Sequence, residues 1–435
     1  MKRREFISKT SSIGLSASGL LLPKLAQAAD FQVVVVGGGM SGAAVAKYIR
    51  LWSNKSISVA LLEKDASYTS NIMSNEVLTG KRSSINTLSF SHANLVSKYG
   101  VNKIQGTVIG IDPVNKTVTY SNASGNKVLT YERLVLAPGL DFDLMPGMSS
   151  LAEYETIAPH AWKAGAQTTL LRSQLVSMPD YQNVVITIPL APYRCPPGPY
   201  ERACVIADWL RTKKPNSKVI VLDENSQIQA QATNFQNAFN GAYGYKVDYR
   251  PGCTISNVHL IPGAHTVSYV QAGAGLSVNA AVLNPIPPQR APRLLSETGL
   301  LNAGGKFAPV NLTTYESTLK TGIHVIGDAC ISGMPKAGHI GNQEAKTCAN
   351  AIVFALKGSQ YAAEEVSPVL NSACFTPVTS TKATWLSAVY QYSNGVMIPS
   401  TQNGMTQPRA AVGASTKNYE QMNKWFTTLM TDTFS

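Results

Sequence analysis

Charge is scarce in this chain. Only 14% of its 435 residues are Asp, Glu, Lys or Arg, although apolar residues make up an ordinary 44% and mean hydropathy is near zero at -0.02. Soluble proteins carry roughly a quarter charged residues. Cysteine is sparse as well: there are six, none in a C-x-x-C or C-x-x-C-H spacing. That excludes a paired-cysteine zinc site and a c-type haem attached to this chain. No apolar run is long enough to span a bilayer, and no segment repeats. The apolar content excludes disorder, a collagen-like fibre and a small disulfide scaffold, and the length leaves room for two or three domains with a sizeable core.

The charge that is present leans positive, with 37 Lys and Arg against 25 Asp and Glu, or +12. Five of the basic residues (Lys2, Arg3, Arg4, Lys9, Lys24) and Glu5 lie within the first 28 positions. The apolar run Ile13 to Leu22 and the small-x-small pattern Ala26-Gln27-Ala28 follow. This is the layout of a secretory signal, too short to anchor in a membrane. Arg3-Arg4 ahead of Glu5-Phe6-Ile7 resembles the twin-arginine type, which exports folded, cofactor-loaded proteins. A periplasmic location is therefore expected. Cleavage after Ala28 would leave a charge near +8, with the basic residues scattered and no arginine-rich tract. Nucleic acid is not an expected partner; an acidic protein or anionic substrate is.

The run Val33 to Val36 reads as a buried parallel strand. It leads into Gly37-Gly38-Gly39-Met40-Ser41-Gly42 and the helical stretch Ala43 to Leu51. Gly37, Gly39 and Gly42 fit G-x-G-x-x-G: a tight turn, close approach of a pyrophosphate, and helix-strand packing. A second strand, Ser58 to Leu62, ends at Glu63, where a carboxylate would accept a ribose hydroxyl. Two later strands each run into a small-residue turn, Tyr131 to Gly139 with Ala137 and Gly139, and Thr321 to Ala329 with Gly327 and Asp328. Together they resemble flavoproteins with two dinucleotide-binding domains, in which such an Asp meets the ribityl chain of FAD.

A second βαβ unit is expected from the strands Asn183 to Ile188 and Ser217 to Leu222, with a helix over Glu201 to Arg211. Its first turn has no glycine fingerprint. It reads Pro189-Leu190-Ala191-Pro192-Tyr193-Arg194-Cys195-Pro196-Pro197-Gly198-Pro199-Tyr200-Glu201-Arg202. Proline lacks an N–H and fixes φ, so this loop cannot cradle the phosphates of NAD(P)H. Electrons would then come from a substrate and leave to a separate protein or a quinone.

That proline-rich string closely resembles the flavoprotein subunit of flavocytochrome c sulfide dehydrogenase. Further similar segments are Ser74-Asn75-Glu76-Val77, His160 to Gly165, Ile286 to Ala291, Gly322 to Cys330, Met334-Pro335-Lys336 and Asp432-Thr433-Phe434. The resemblance implies an α/β fold of two Rossmann-like, glutathione-reductase-like domains plus a smaller α+β C-terminal domain. It implies FAD, a small sulfur substrate, a redox disulfide beside the flavin, and a c-type cytochrome partner. Cys195 matches the disulfide cysteine of the loop, and Glu201 the proton-handling acid, with Arg194 placed to favour a thiolate. Two positions depart from the family pattern. Asn71 stands where a cysteine would hold the flavin covalently, which implies non-covalent FAD. Ala308, ahead of Pro309-Val310, stands in the slot assigned to the second disulfide cysteine, which puts sulfide oxidation in question. Cys253, Cys348 and Cys374 read as structural or free, Cys204, nine residues after Cys195 and in the following helix, stays open as an awkward bridging partner, and Lys336 and His339 read as loop residues that could face the ring.

Beyond Gly358, Ser367 to Tyr392 suggests short strands, Ser400 to Ser415 a polar loop, and Tyr419 to Met430 an amphipathic helix that packs on the flavin domain. The expected organisation is a signal over 1–28, an FAD domain over 29–150 and 283–360, a second Rossmann-like domain over 151–282, and an interface domain over 361–435. The function expected is oxidation of sulfide or a related sulfur compound with transfer to a c-type cytochrome. The alternatives are a sulfide:quinone reductase-like enzyme and a non-catalytic flavoprotein partner of a sulfur-oxidation complex.

Overall fold

The computed structural model describes residues 28–359, 367–401 and 408–435, so the segment expected to be an export signal, all but Ala28, lies outside the described residues. The valine run forms the strand Phe31–Val36, flanked by Val59–Glu63 on one side and the end of Gly125–Leu136 on the other, all parallel. Asn102–Gln105 extends this ladder beyond Val59–Glu63, and Ile323–Val325 pairs with Leu134 to Leu136. The strand ending at Gly327-Asp328 thus returns to the sheet that starts the chain. Such strands are buried on both faces, which is why they read as continuous apolar runs. The helices Met40–Trp52 and Gly338–Lys357 pack on each other against this sheet.

The second parallel sheet has the order Val247–Pro251, Lys218–Asp223, Asn183–Ile188, Val282–Pro285. The boundary expected after residue 282 therefore falls inside a strand. The intervening helix runs over Gly198–Lys213, starting earlier than the sequence suggests because Pro199 tolerates the first helical turn. A three-stranded antiparallel sheet, Cys253–His259 to Ala274–Ala280, covers its far side.

The C-terminal strands are not short: Val369–Pro377 and Ala383–Ser393 pair along nine residues. Gln231 Nε2 donates to Thr376 Oγ1 and Asn234 Nδ2 to Thr384 Oγ1, both at 2.9 Å, joining this sheet to the second domain. The last helix, Thr416–Phe434, buries Met422, Phe426, Leu429, Met430 and Phe434 in the core of the first sheet. Its apolar stripe is spent on packing. No helix among the described residues is long and apolar enough to cross a membrane.

Candidate active site

A cavity of about 690 Å³ opens where the two parallel sheets and the C-terminal strands meet, and all the candidate residues except Gly42 line it. The phosphate loop explains its own glycines. At Gly37, where φ is +96°, a Cβ would lie 2.4 Å from Ala137 O, and at Gly42 it would lie 1.7 Å from Gly37 O. Both are close backbone approaches that exclude any side chain. At Gly39 a Cβ would meet only Tyr68, at 3.6 Å, so this position is open toward the cavity. The helix that follows starts with no side-chain cap and no acid in its first turn, leaving its N–H groups for a pyrophosphate. Glu63 Oε2 accepts the Gly38 N–H and Oε1 the Asp65 N–H, which holds the carboxylate at the strand end beside the loop.

The far wall comes from the later strand. Gly327, at φ +73°, donates its N–H to Glu344 Oε2 at 2.6 Å. Asp328 accepts from Arg194 Nε at 2.6 Å. The helix Gly338–Lys357 begins at the cavity, again without a side-chain cap or a first-turn acid. Asn71 Oδ1 accepts the Ala164 N–H at 2.7 Å, so this side chain locks a loop of the lining. The open glycine, two uncapped helix starts and the cavity between them fit a dinucleotide laid across the space.

The proline-rich loop carries Cys195 in the left-handed region, φ +57°, a costly conformation for a non-glycine residue. It is over-determined by its neighbours: Cys195 N–H donates to Lys336 O at 2.7 Å, and Trp162 Nε1 to Arg194 O at 3.0 Å. A Cβ at Gly198 would lie 3.0 Å from Cys195 Sγ, so glycine there makes room for the sulfur. Burial pushes the Cys195 thiol well up, with Cys374 and Glu201 adding to the effect. Arg194 does draw the thiol toward the thiolate, as the sequence suggests, but burial outweighs it, and the guanidinium is also engaged by Asp328. Burial also raises Glu201, to about 8.

Cys374 is the residue that the sequence reading missed. It sits in the strand Val369–Pro377, lines the same cavity, and is raised by burial and by Glu201 to about 12. His339 Nδ1 accepts the neighbouring Ala373 N–H at 3.0 Å, fixing this strand to the helix start. Ala308, by contrast, is fully buried, pairs with Cys330 across a short parallel bridge, and is not among the residues that line the cavity. The absence of sulfur at 308 thus says nothing about the site. Lys336 does not face the cavity either; its Nζ donates to Asp328 O and Cys330 O and lies 3.7 Å over the Phe307 ring. Pro377-Val378 follows three residues on, but Pro-Val also stands at Pro113-Val114, Pro309-Val310 and Pro368-Val369, so the dipeptide does not single Cys374 out.

In the second domain the carboxylate at the end of the second strand is taken up by protein groups. Asp223, at the end of its strand, is fully buried and accepts from Tyr200 OH at 2.7 Å and Tyr249 OH at 2.9 Å. Asn225 Nδ2 donates to Asp223 Oδ1 at 2.8 Å.

Residues 168–287 match the central part of the sulfide dehydrogenase [flavocytochrome c] flavoprotein chain, and residues 366–434 match the flavin-binding part of flavocytochrome c sulphide dehydrogenase. The chain belongs to this flavoprotein family. Residues 31–186 also match the pyridine nucleotide-disulphide oxidoreductases. Among solved structures, the fold is similar to sulfide:quinone oxidoreductase from the hyperthermophilic bacterium Aquifex aeolicus, at 18% identity, 92% of both chains and a TM-score of 0.72. It is similar to putidaredoxin reductase in its covalent complex with putidaredoxin, at 14% identity over 93% of this chain and 94% of that one, TM-score 0.63. A NAD-dependent persulfide reductase from A. fulgidus matches at 14% identity over 92% and 77%, TM-score 0.57. The flavoprotein binds FAD and is an oxidoreductase acting on sulfur.

Proposed function

We propose that this flavoprotein is exported to the periplasm, oxidises sulfide or a related sulfur compound at Cys195 and Cys374, and passes the electrons to a c-type cytochrome. The observation that carries the reading is the meeting of two thiols and one buried acid in the cavity that fits FAD: Cys195 and Glu201 from the proline-rich loop and the helix it enters, and Cys374 from a C-terminal strand. Bound FAD supplies an acceptor for an electron pair that can release electrons singly.

The chain's own residues do the rest. Joined as a disulfide, Cys195 and Cys374 can be attacked by hydrosulfide: a new S–S bond forms to one cysteine as a persulfide, the old S–S bond breaks, and its electron pair leaves on the other sulfur as a thiolate. Glu201 accepts the proton that the persulfide loses. A carboxyl raised to about 8 suits that exchange near neutral pH. Non-covalent retention of FAD follows from Asn71, whose amide serves the Ala164 backbone. The twin-arginine pattern supports export, and a positive surface left after cleavage supports docking of an acidic cytochrome.

The test is anaerobic addition of sulfide to the FAD-loaded protein, with and without cytochrome c. Flavin bleaching, followed by reoxidation when cytochrome c is present, is expected. No bleaching by sulfide, thiosulfate or polysulfide would sink the reading, and acid precipitation should release the yellow cofactor.

A further inference from the structure

The short helix Asn75–Thr79 belongs to the Ser74-Asn75-Glu76-Val77 segment, which no step above uses. Asn75 is nevertheless buried, and its amide is engaged at both ends. Nδ2 donates to Glu201 Oε1 at 2.7 Å, and Oδ1 accepts from Arg202 Nε at 2.8 Å. Glu201 and Arg202 are consecutive in one helix, where successive side chains diverge by about 100°, so the two charges do not face each other. Asn75 fills the angle between them.

Chemistry fixes which way the amide points. A guanidinium has donors only, so it takes the amide oxygen and turns the NH2 group toward Glu201. Arg202 is itself immobile: it donates to His160 O and Ala161 O at 2.8 Å and to Asn284 Oδ1 at 3.0 Å, and lies 4.7 Å over the Trp162 ring. The amide therefore cannot flip. An NH2 group cannot accept a hydrogen bond, so Oε1 stays an acceptor in both protonation states of Glu201. Among the described residues Oε2 has no hydrogen-bond partner, in a side chain that lines the cavity.

We propose that Asn75 is a positioning residue for the sulfur chemistry, reserving Glu201 Oε1 as an acceptor and leaving Oε2 as the single oxygen that takes and returns the proton. This deepens the reading of Glu201 as the proton-handling acid and rests on it. When the S–H bond breaks, the O–H bond forms on Oε2, the carboxylate becomes neutral, and the Asn75 bond to Oε1 persists. The groups facing this carboxyl are Arg202 and Cys204 on its own helix, Cys195 on the proline-rich loop, Cys374 on the strand Val369–Pro377, and Glu76 beside Asn75. Burial and Glu76 push the carboxyl up, and the Asn75 and Arg202 contacts draw it down.

Asn75→Asp keeps an oxygen for Arg202 but removes the donor to Glu201. The rate of flavin bleaching by sulfide is measured against pH in FAD-loaded wild type, Asn75→Asp and Glu201→Gln. Wild type is expected to show an inflection that Glu201→Gln lacks. In Asn75→Asp it moves up by about one pH unit or more, with the neutral-pH rate about tenfold lower and recovering at higher pH. An inflection that stays in place in Asn75→Asp, while Glu201→Gln loses it, overturns the positioning role alone. One that survives Glu201→Gln overturns the proton-handling reading with it. A second readout needs no Asn75 variant. The infrared carbonyl band of protonated Glu201, identified by its loss in Glu201→Gln, is expected at the lowered frequency of a C=O that accepts a hydrogen bond. The frequency of a free C=O overturns the proposal.

Discussion

Arg194 Nε donates to Asp328 Oδ2 at 2.6 Å, tying the residue beside Cys195 to the acid that closes the far end of the flavin cavity. Both side chains are mostly buried, at 15% and 14% exposure. Removing one partner leaves the other charge uncompensated, at a cost of about 3 kcal/mol where burial is deep. Arg194→Ala is expected to lower the melting temperature and the flavin-to-protein ratio together. Retention of full flavin content in the purified variant would show that Asp328 holds its place unaided.

The three glycines of the phosphate loop should separate into two classes. Gly42→Ala puts a Cβ into the backbone of Gly37 and is expected to destabilise the protein by more than about 2 kcal/mol, read by urea denaturation. Gly39→Ala meets only Tyr68 and should leave the cofactor-free protein as stable as wild type while weakening FAD binding, read by flavin fluorescence titration.

Replacing either thiol, as Cys195→Ser or Cys374→Ser, is expected to abolish flavin bleaching by sulfide and leave bound FAD in place. Ala308→Cys added to Cys374→Ser should restore nothing, because position 308 is buried beside Cys330, away from the cavity. Bleaching at the wild-type rate in Cys374→Ser would exclude the pair as the reactive sulfur.

Burial raises the Glu344 carboxyl from its usual 4.5 to about 7, while it accepts the Gly327 N–H. The folded protein thus holds this proton more tightly than the unfolded chain. The stability it brings is whole below about pH 4.5 and is lost as pH rises through about 7. Glu344→Gln keeps an oxygen for Gly327 and cannot ionise. Denaturation between about pH 5 and 8 should show a fall in stability smaller than wild type by about 2–3 kcal/mol, with the residual fall belonging to Glu201.

What could be read from the sequence was local. The valine strand, Gly37 to Gly42 and Glu63 declare themselves because periodicity, turn and helix start lie within one short stretch. The helix at Thr416–Phe434 was visible in the spacing of Met422, Phe426 and Met430. Cys374 was not, because a dipeptide such as Pro-Val carries no address, and it joins Cys195 in one cavity lining only after the C-terminal strands fold back onto the second domain. Arg194 next to Cys195 acts on the thiol in the direction its position suggests, but burial, which no neighbouring residue announces, outweighs it. Asn75 had no signal beyond its motif, since its meaning depends on the divergence of two side chains on another helix.

The two tyrosines that close on Asp223 change what the second domain is for. A missing glycine fingerprint alone would be a gap that a few substitutions could fill. Here the strand-end acid is already held by two hydroxyls, and Tyr200 belongs to the same helix start that presents Glu201 and Arg202 to the cavity. Freeing Asp223 from Tyr200 would therefore disturb the helix turn that carries Glu201. The strand-end carboxylate of the second domain thus works as an abutment, bracing through Tyr200 the helix turn that lines the flavin cavity.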